Sequence, residues 1–231
     1  MLNKLIKELQ NLKNSKKAKI LSRFFKTGRG EYGEGDIFLG IVVPDQRKIA
    51  KKYTDLSLNE IEELLSSKIH EYRLTALFIL IEKYNKANDL NKQKIFDFYL
   101  SNINYVNNWD LIDLSAEKIL GNYLINKDKS ILYKFSKSNS FWERRIAILS
   151  TFQFIKNNKY EDTLKISEIL VNDKHDLIQK AVGWMLREIG KRNLNVEEEF
   201  LMKYYKKMPR TMLRYSIERF SDEKKRFYMK K

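Results

Sequence analysis

In the stretch NNWDLIDLSAEKIL, residues 107–120, a tryptophan stands four positions ahead of a carboxylate, Trp109 and Asp113. On a helix that interval puts both side chains on one face. An indole face attracts positive charge, and a fixed carboxylate stabilises positive charge as it develops. Asn107 or Asn108 is a natural N-cap, which puts Trp109 and Asp110 in the first turn and Asp113 in the second. Ile112, Ala116 and Leu120 flank Asp113, so its carboxylate is expected to be only partly solvated. Such a group must be paired with a cation or held for chemical work. Arg145 or a neighbouring lysine is the candidate partner.

Two further segments carry candidate chemistry. In KAVGWMLREIGKR, Lys180, Trp184, Arg187 and Lys191 recur at helical spacing, with Val182, Met185, Leu186 and Ile189 on the other side. Cations around an indole can hold phosphates while the ring meets a base or sugar. A tryptophan half-buried against a neighbouring helix pair would give the same pattern. In FWERRIAILSTFQFI, Arg144 and Arg145 open a helix anchored by Ile146, Leu149, Phe152 and Phe154. Arginine supplies the planar fork that fits phosphate oxygens.

These residues sit in a basic chain. Forty-five Lys and Arg against 30 Asp and Glu give a formal net charge of +15 over 231 residues, which points to a polyanionic partner, nucleic acid first. A base-composition bias that loads chains with Lys, Asn and Ile would produce the same excess. The absence of cysteine excludes thiolate metal sites, iron–sulfur clusters and cysteine nucleophiles. The two histidines, His70 and His175, are expected to satisfy local hydrogen bonds. The N-terminal segment spaces Leu2, Leu5, Ile6, Leu9 and Leu12 helically, and its lysines argue against a signal peptide or membrane span. The expected location is cytoplasmic, of bacterial type, associated with the nucleoid when bound to DNA.

The elements that must position the candidates are helices. Apolar residues follow the helical period in LNEIEELLSS, YRLTALFILIEKY, NKQKIFDFYLSNI and EDTLKISEILV, and no alternating strand pattern occurs. Five of eight glycines fall in GRGEYGEGDIFLGIVVP, residues 28–44. That loop lacks the G-K-[ST] of a P-loop and carries Glu31, Glu34 and Asp36, so it reads as glycine used at positive φ and not as a nucleotide cradle. Trp109 to Arg145 is 36 residues and Arg145 to Trp184 is 39, near the ~40-residue period of two-helix repeats. Stepping back 36 from Trp109 gives Arg73, and Arg214 lies in the last such segment, PRTMLRYSIERF. The expectation is a single domain over 1–231, an all-α superhelix of HEAT-like helix pairs with a basic concave groove.

The blocks FFKTGRGEYGEGDIFLGIVVPDQR, NNWDLIDLSA, FWERRIAILSTFQFI, HDLIQKAVGWMLREIGKR and MPRTMLRYSIERF together resemble the AlkD-type DNA alkylation-repair glycosylases, in order from about residue 20 to 220. The resemblance implies HEAT-like repeats gripping duplex DNA and excision of cationic alkylpurines such as 3-methyladenine and 7-methylguanine. Carried over by position, it puts the catalytic aspartate at Asp113, the DNA-facing tryptophans at Trp109 and Trp184, and the important arginine at Arg145. Lys180, Arg187, Lys191, Arg144, Arg73 and Arg214 are expected to contact DNA. A purine alkylated at N3 or N7 leaves as a neutral base and needs no general acid, so no cofactor and no metal are expected. No lysine nucleophile stands beside Asp113, so the expected enzyme is monofunctional, a monomer, with no membrane partner. The rival readings are a non-catalytic DNA-binding relative and a HEAT scaffold for an acidic protein.

Overall fold

The structure is a computed structural model that describes residues 1–230. Among the described residues it holds helices and connecting turns, and the one strand-like feature is an isolated parallel bridge between Ile37 and Ile69. No helix in it is long and apolar enough to cross a membrane. The chain forms two compact units, Met1–Leu111 and a second from Ile112 onward.

The N-terminal unit is built around helix His70–Lys86. Thirteen of its residues are buried, including Leu74, Leu77, Phe78 and Ile81, and the helices Val43–Lys52 and Leu58–Leu65 pack on it. Ser57 and Glu60 close a reciprocal capping box at the start of Leu58–Leu65. Helix Leu2–Asn11 buries Leu2, Leu5 and Leu9 of the stripe its spacing predicts, while Ile6 is half-buried and Leu12, past the helix end, is 42% exposed. Helix Ser15–Phe24 is different: Asn14 caps it, yet it buries none of its own residues, and Phe24 is 61% exposed.

The glycine-rich loop follows from its backbone needs. Gly30, Gly35 and Gly40 have φ of +78°, +89° and +87°. Its acids cap its own amides, with Glu31 accepting from Gly28 N and Glu34 from Gly30 N. The end of the loop is held from below, because the buried Glu71 carboxylate accepts from the amides of Leu39, Gly40 and Ile41 at 2.7–3.2 Å. A negative group surrounded by backbone donors explains how an acid sits in a core.

The second unit centres on helix Asp176–Gly190. It buries Ile178, Val182, Met185, Leu186 and Ile189 between helices Phe141–Ser150 and Arg210–Ser216. Gly183 permits that approach, since a Cβ there would lie 2.5 Å from the Met212 carbonyl oxygen. A π-helical turn, Glu117–Gly121, continues helix Trp109–Ala116, and Gly121 lies against Ser150. Gly121→Ala would put a methyl 2.2 Å from the Ser150 carbonyl oxygen. It should destabilise this unit by about 1–3 kcal/mol, read as a lower urea midpoint.

Candidate active site

In the N-terminal unit Trp109 ends a column of rings. Its indole stacks on Phe25 at 4.9 Å and 10°, with Phe24 meeting it edge-on at 5.6 Å. Phe25 stacks on Phe38 at 4.9 Å, and Phe38 on the His70 imidazole at 4.5 Å. Trp109 is half-buried, so the column holds its ring by one face. Phe25, Phe38 and His70, but not Trp109, also wall a cavity of about 280 Å³ with Leu21, Leu74 and Gln46.

His70 fixes the base of the column. Its Nδ1 lies 3.1 Å from Asp36 and its Nε2 2.8 Å from Asp110, so both ring nitrogens face carboxylates. An imidazole can donate at both positions only when protonated. Burial works to lower its pKa, but the charge and hydrogen bond of Asp110, with the bond to Asp36, push it up to about 9. Burial works in turn to raise the Asp36 carboxyl, and the bonds from His70, Arg73 and Asn108 hold it below its ordinary value. Asn108 donates to Asp36 and accepts from Trp109 N, tying the first turn of the Trp109 helix to the glycine-rich loop. Arg73 is part of this network: it is 5% exposed and pairs with Asp36 at 2.7 Å. The expectation that Arg73 contacts DNA is therefore corrected, because its guanidinium neutralises a buried acid.

In the second unit Asp113 receives a two-pronged bond from Arg145, Nε to Oδ1 and Nη2 to Oδ2, each 2.8 Å. The Arg145 side chain is 6% exposed and that of Asp113 15%. Arg145 also donates to the Leu177 carbonyl, so one guanidinium joins the Asp113 helix to the first turn of the helix carrying Trp184. Leu177 and Trp184 are seven residues apart, two helical turns along one face. The fork takes two of the roughly four acceptor positions a carboxylate offers and fixes its plane.

Trp184 is half-buried beside Phe152, ring centres 5.8 Å apart, and its Nε1 donates to Glu188 at 3.3 Å. The cations around it are paired. Lys180 meets Asp176, Arg187 meets Glu218, and Lys191 meets Glu188. Glu188 also takes Arg192. Burial works to raise the Glu188 carboxyl, but its bonds to Lys191 and Arg192 hold it below its ordinary value. Arg144 is turned from Arg145 toward Asp173 at 2.7 Å and the carbonyls of Ser138 and Asn139. Arg214 is exposed on helix Arg210–Ser216. Phe25, Phe38, Asp36, Asp110 and Glu188 were not singled out by spacing. Asp110 had a signal, its place inside Trp-Asp-Leu-Ile-Asp.

The model of the DNA alkylation repair enzyme family matches residues 5–220 of this chain. The chain belongs to that family. The family match spans the candidate residues of both units and stops short of helix Asp222–Met229. A solved structure, a predicted DNA alkylation repair enzyme from Enterococcus faecalis, shares the fold of this DNA alkylation repair enzyme. The TM-score is 0.72 at 19% identity, covering 91% of this chain and 97% of that one. No curated protein matches it.

Proposed function

We propose that this family member is a monofunctional DNA glycosylase, acting as a monomer on duplex DNA that contains positively charged N3- or N7-alkylated purines. The observation that carries this reading is the partly exposed Asp113 carboxylate, held in plane by Arg145. As the C1′–N bond breaks, its electron pair goes to the base, which departs neutral, and the sugar becomes oxocarbenium-like. A carboxylate beside C1′ opposes that charge, then orients the water whose oxygen bonds to C1′ and takes the proton it releases. Arg145 acts as a positioning residue, since both of its forks face protein. Trp184, and Trp109 one turn ahead of Asp113, offer π faces to the cationic base or the deoxyribose.

The deciding experiment incubates the purified protein with methylated duplex DNA and identifies the bases released. Free 3-methyladenine or 7-methylguanine above the spontaneous background supports the reading. Binding without release would favour a non-catalytic DNA-binding relative.

Duplex affinity should also fall with salt, because basic contacts release counterions from phosphate. Arg214→Gln removes an exposed cation and should lower the slope of log K against log salt by about 0.9. Lys180, Arg187, Lys191 and Arg144 contribute to binding only as far as phosphate competes with their carboxylates. Their replacement should change the slope by less than Arg214→Gln does.

A further inference from the structure

A second concave surface, of about 580 Å³, lies in the C-terminal unit and takes no part in the chemistry above. Three aromatic residues, Tyr205, Phe227 and Tyr228, line it together with three cations, Lys206, Arg210 and Lys230, and no acid does. The rings form one cluster: Phe227 and Tyr228 meet at 5.1 Å, Tyr205 and Tyr228 at 5.4 Å, and Tyr205 and Phe227 at 5.9 Å. Tyr228 is buried beneath, whereas Phe227 is 49% exposed. Arg210 donates to the Met229 carbonyl at 2.9 Å, which holds its guanidinium at the end of helix Asp222–Met229. The Lys206 ammonium lies 5.9 Å from the centre of the Tyr205 ring. Phe227, Tyr228 and Lys230 all fall beyond residue 220, where the family match ends.

We propose that this surface binds single-stranded DNA, with an unpaired base stacked on Phe227 and Tyr205 and its flanking phosphates held by Lys206, Arg210 and Lys230. Cations alone would serve a duplex, whose bases are already stacked on one another. An exposed ring among cations gains from a free base face, and such stacking tolerates any sequence. An acidic peptide would meet the same cations but bring no flat surface to the ring. The proposal is independent of base excision, because it needs neither a lesion nor Asp113.

The test uses the full chain and a fluorescently labelled 12-residue oligothymidylate, with binding followed by anisotropy at several salt concentrations. Phe227→Ala should weaken binding by roughly 5- to 150-fold, the loss of one base–aromatic stack, and Phe227→Tyr should restore it. Lys206→Gln should lower the salt slope by about 0.7, one phosphate contact on a single strand. Release of methylated bases from duplex DNA should be unchanged in all three variants, which separates this site from the reading of Asp113. Equal binding by wild type and Phe227→Ala would overturn the proposal. Absence of any single-strand binding, or equal affinity for a polyglutamate of the same length, would overturn it too. Since Phe227 is half in solvent, its truncation should leave the thermal melt in place, and Lys206→Gln supplies a second readout that perturbs no packing.

Discussion

Asp113→Asn should keep duplex binding and lower base excision by roughly 30- to 1,000-fold. The loss corresponds to about 2–4 kcal/mol, the usual effect of removing one electrostatic stabiliser from a transition state. Asparagine has nearly the same shape and leaves one oxygen for the Arg145 fork, so the link to the Leu177 carbonyl survives. Some stability is lost as well, because Arg145 is buried and keeps a weaker partner. The measurement is therefore single-turnover release of 7-methylguanine per folded molecule, after subtraction of spontaneous depurination. Trp109→Ala should be milder, since it disturbs placement and leaves the charge. A variant that melts earlier yet excises normally per folded molecule would reduce Asp113 to a structural salt bridge. Arg145→Lys sharpens the comparison: it keeps the charge and loses the two-pronged geometry, so it should fall between wild type and Asp113→Asn.

Raising the pH from 6 to 10 should cost the N-terminal unit about 3 kcal/mol through His70 alone. The folded pKa, about 9, lies above the unfolded value near 6.5. The protonated imidazolium is thus bound more tightly in the folded chain. Its contribution is fully present below about pH 6.5, declines as pH rises, and is gone once pH passes the folded value. Asp36 works on the other side. Its carboxyl is held below its ordinary value, so its contribution is present above the unfolded pKa and is lost as pH falls through the folded one. The two are views of one attraction and do not add.

Amide exchange within helix His70–Lys86, followed from pH 6 to 10 and corrected for the intrinsic rate, reads this unit directly. Glu197 adds an alkaline loss of its own in the second unit, because burial and the nearby Glu198 push its carboxyl up to about 8. The informative quantity is therefore the difference between wild type and His70→Gln. That variant should start lower at pH 6 and converge on wild type by pH 10. Parallel curves would show that His70 is not charged in the fold. Because His70 carries the ring column that ends at Trp109, the same titration should loosen the indole.

The periodic features of this protein were determined by its sequence. The stripe Leu2, Leu5, Leu9 and the face Val182, Met185, Leu186, Ile189 are buried as their spacing requires, since helical period and hydrophobicity together decide which side turns inward. Gly30, Gly35 and Gly40 take the positive φ that their clustering signalled. The pairing of Asp113 was legible as an alternative, with Arg145 among the candidates, because a half-buried carboxylate needs a cation. Tertiary structure alone decided which cation answers which acid. His70 reaches Asp36 and Asp110, 34 and 40 residues away, only because the glycine-rich loop, the central helix and the Trp109 helix converge on it. Arg73 follows the same interval that links Trp109 to Arg145, yet it lies under the loop beside Asp36. The stripe of Lys180, Arg187 and Lys191 reads as bare positive charge until Asp176, Glu218 and Glu188 are brought against it. A side chain's spacing fixes the face it occupies, but its partner depends on the register of elements tens of residues apart, which no local pattern encodes.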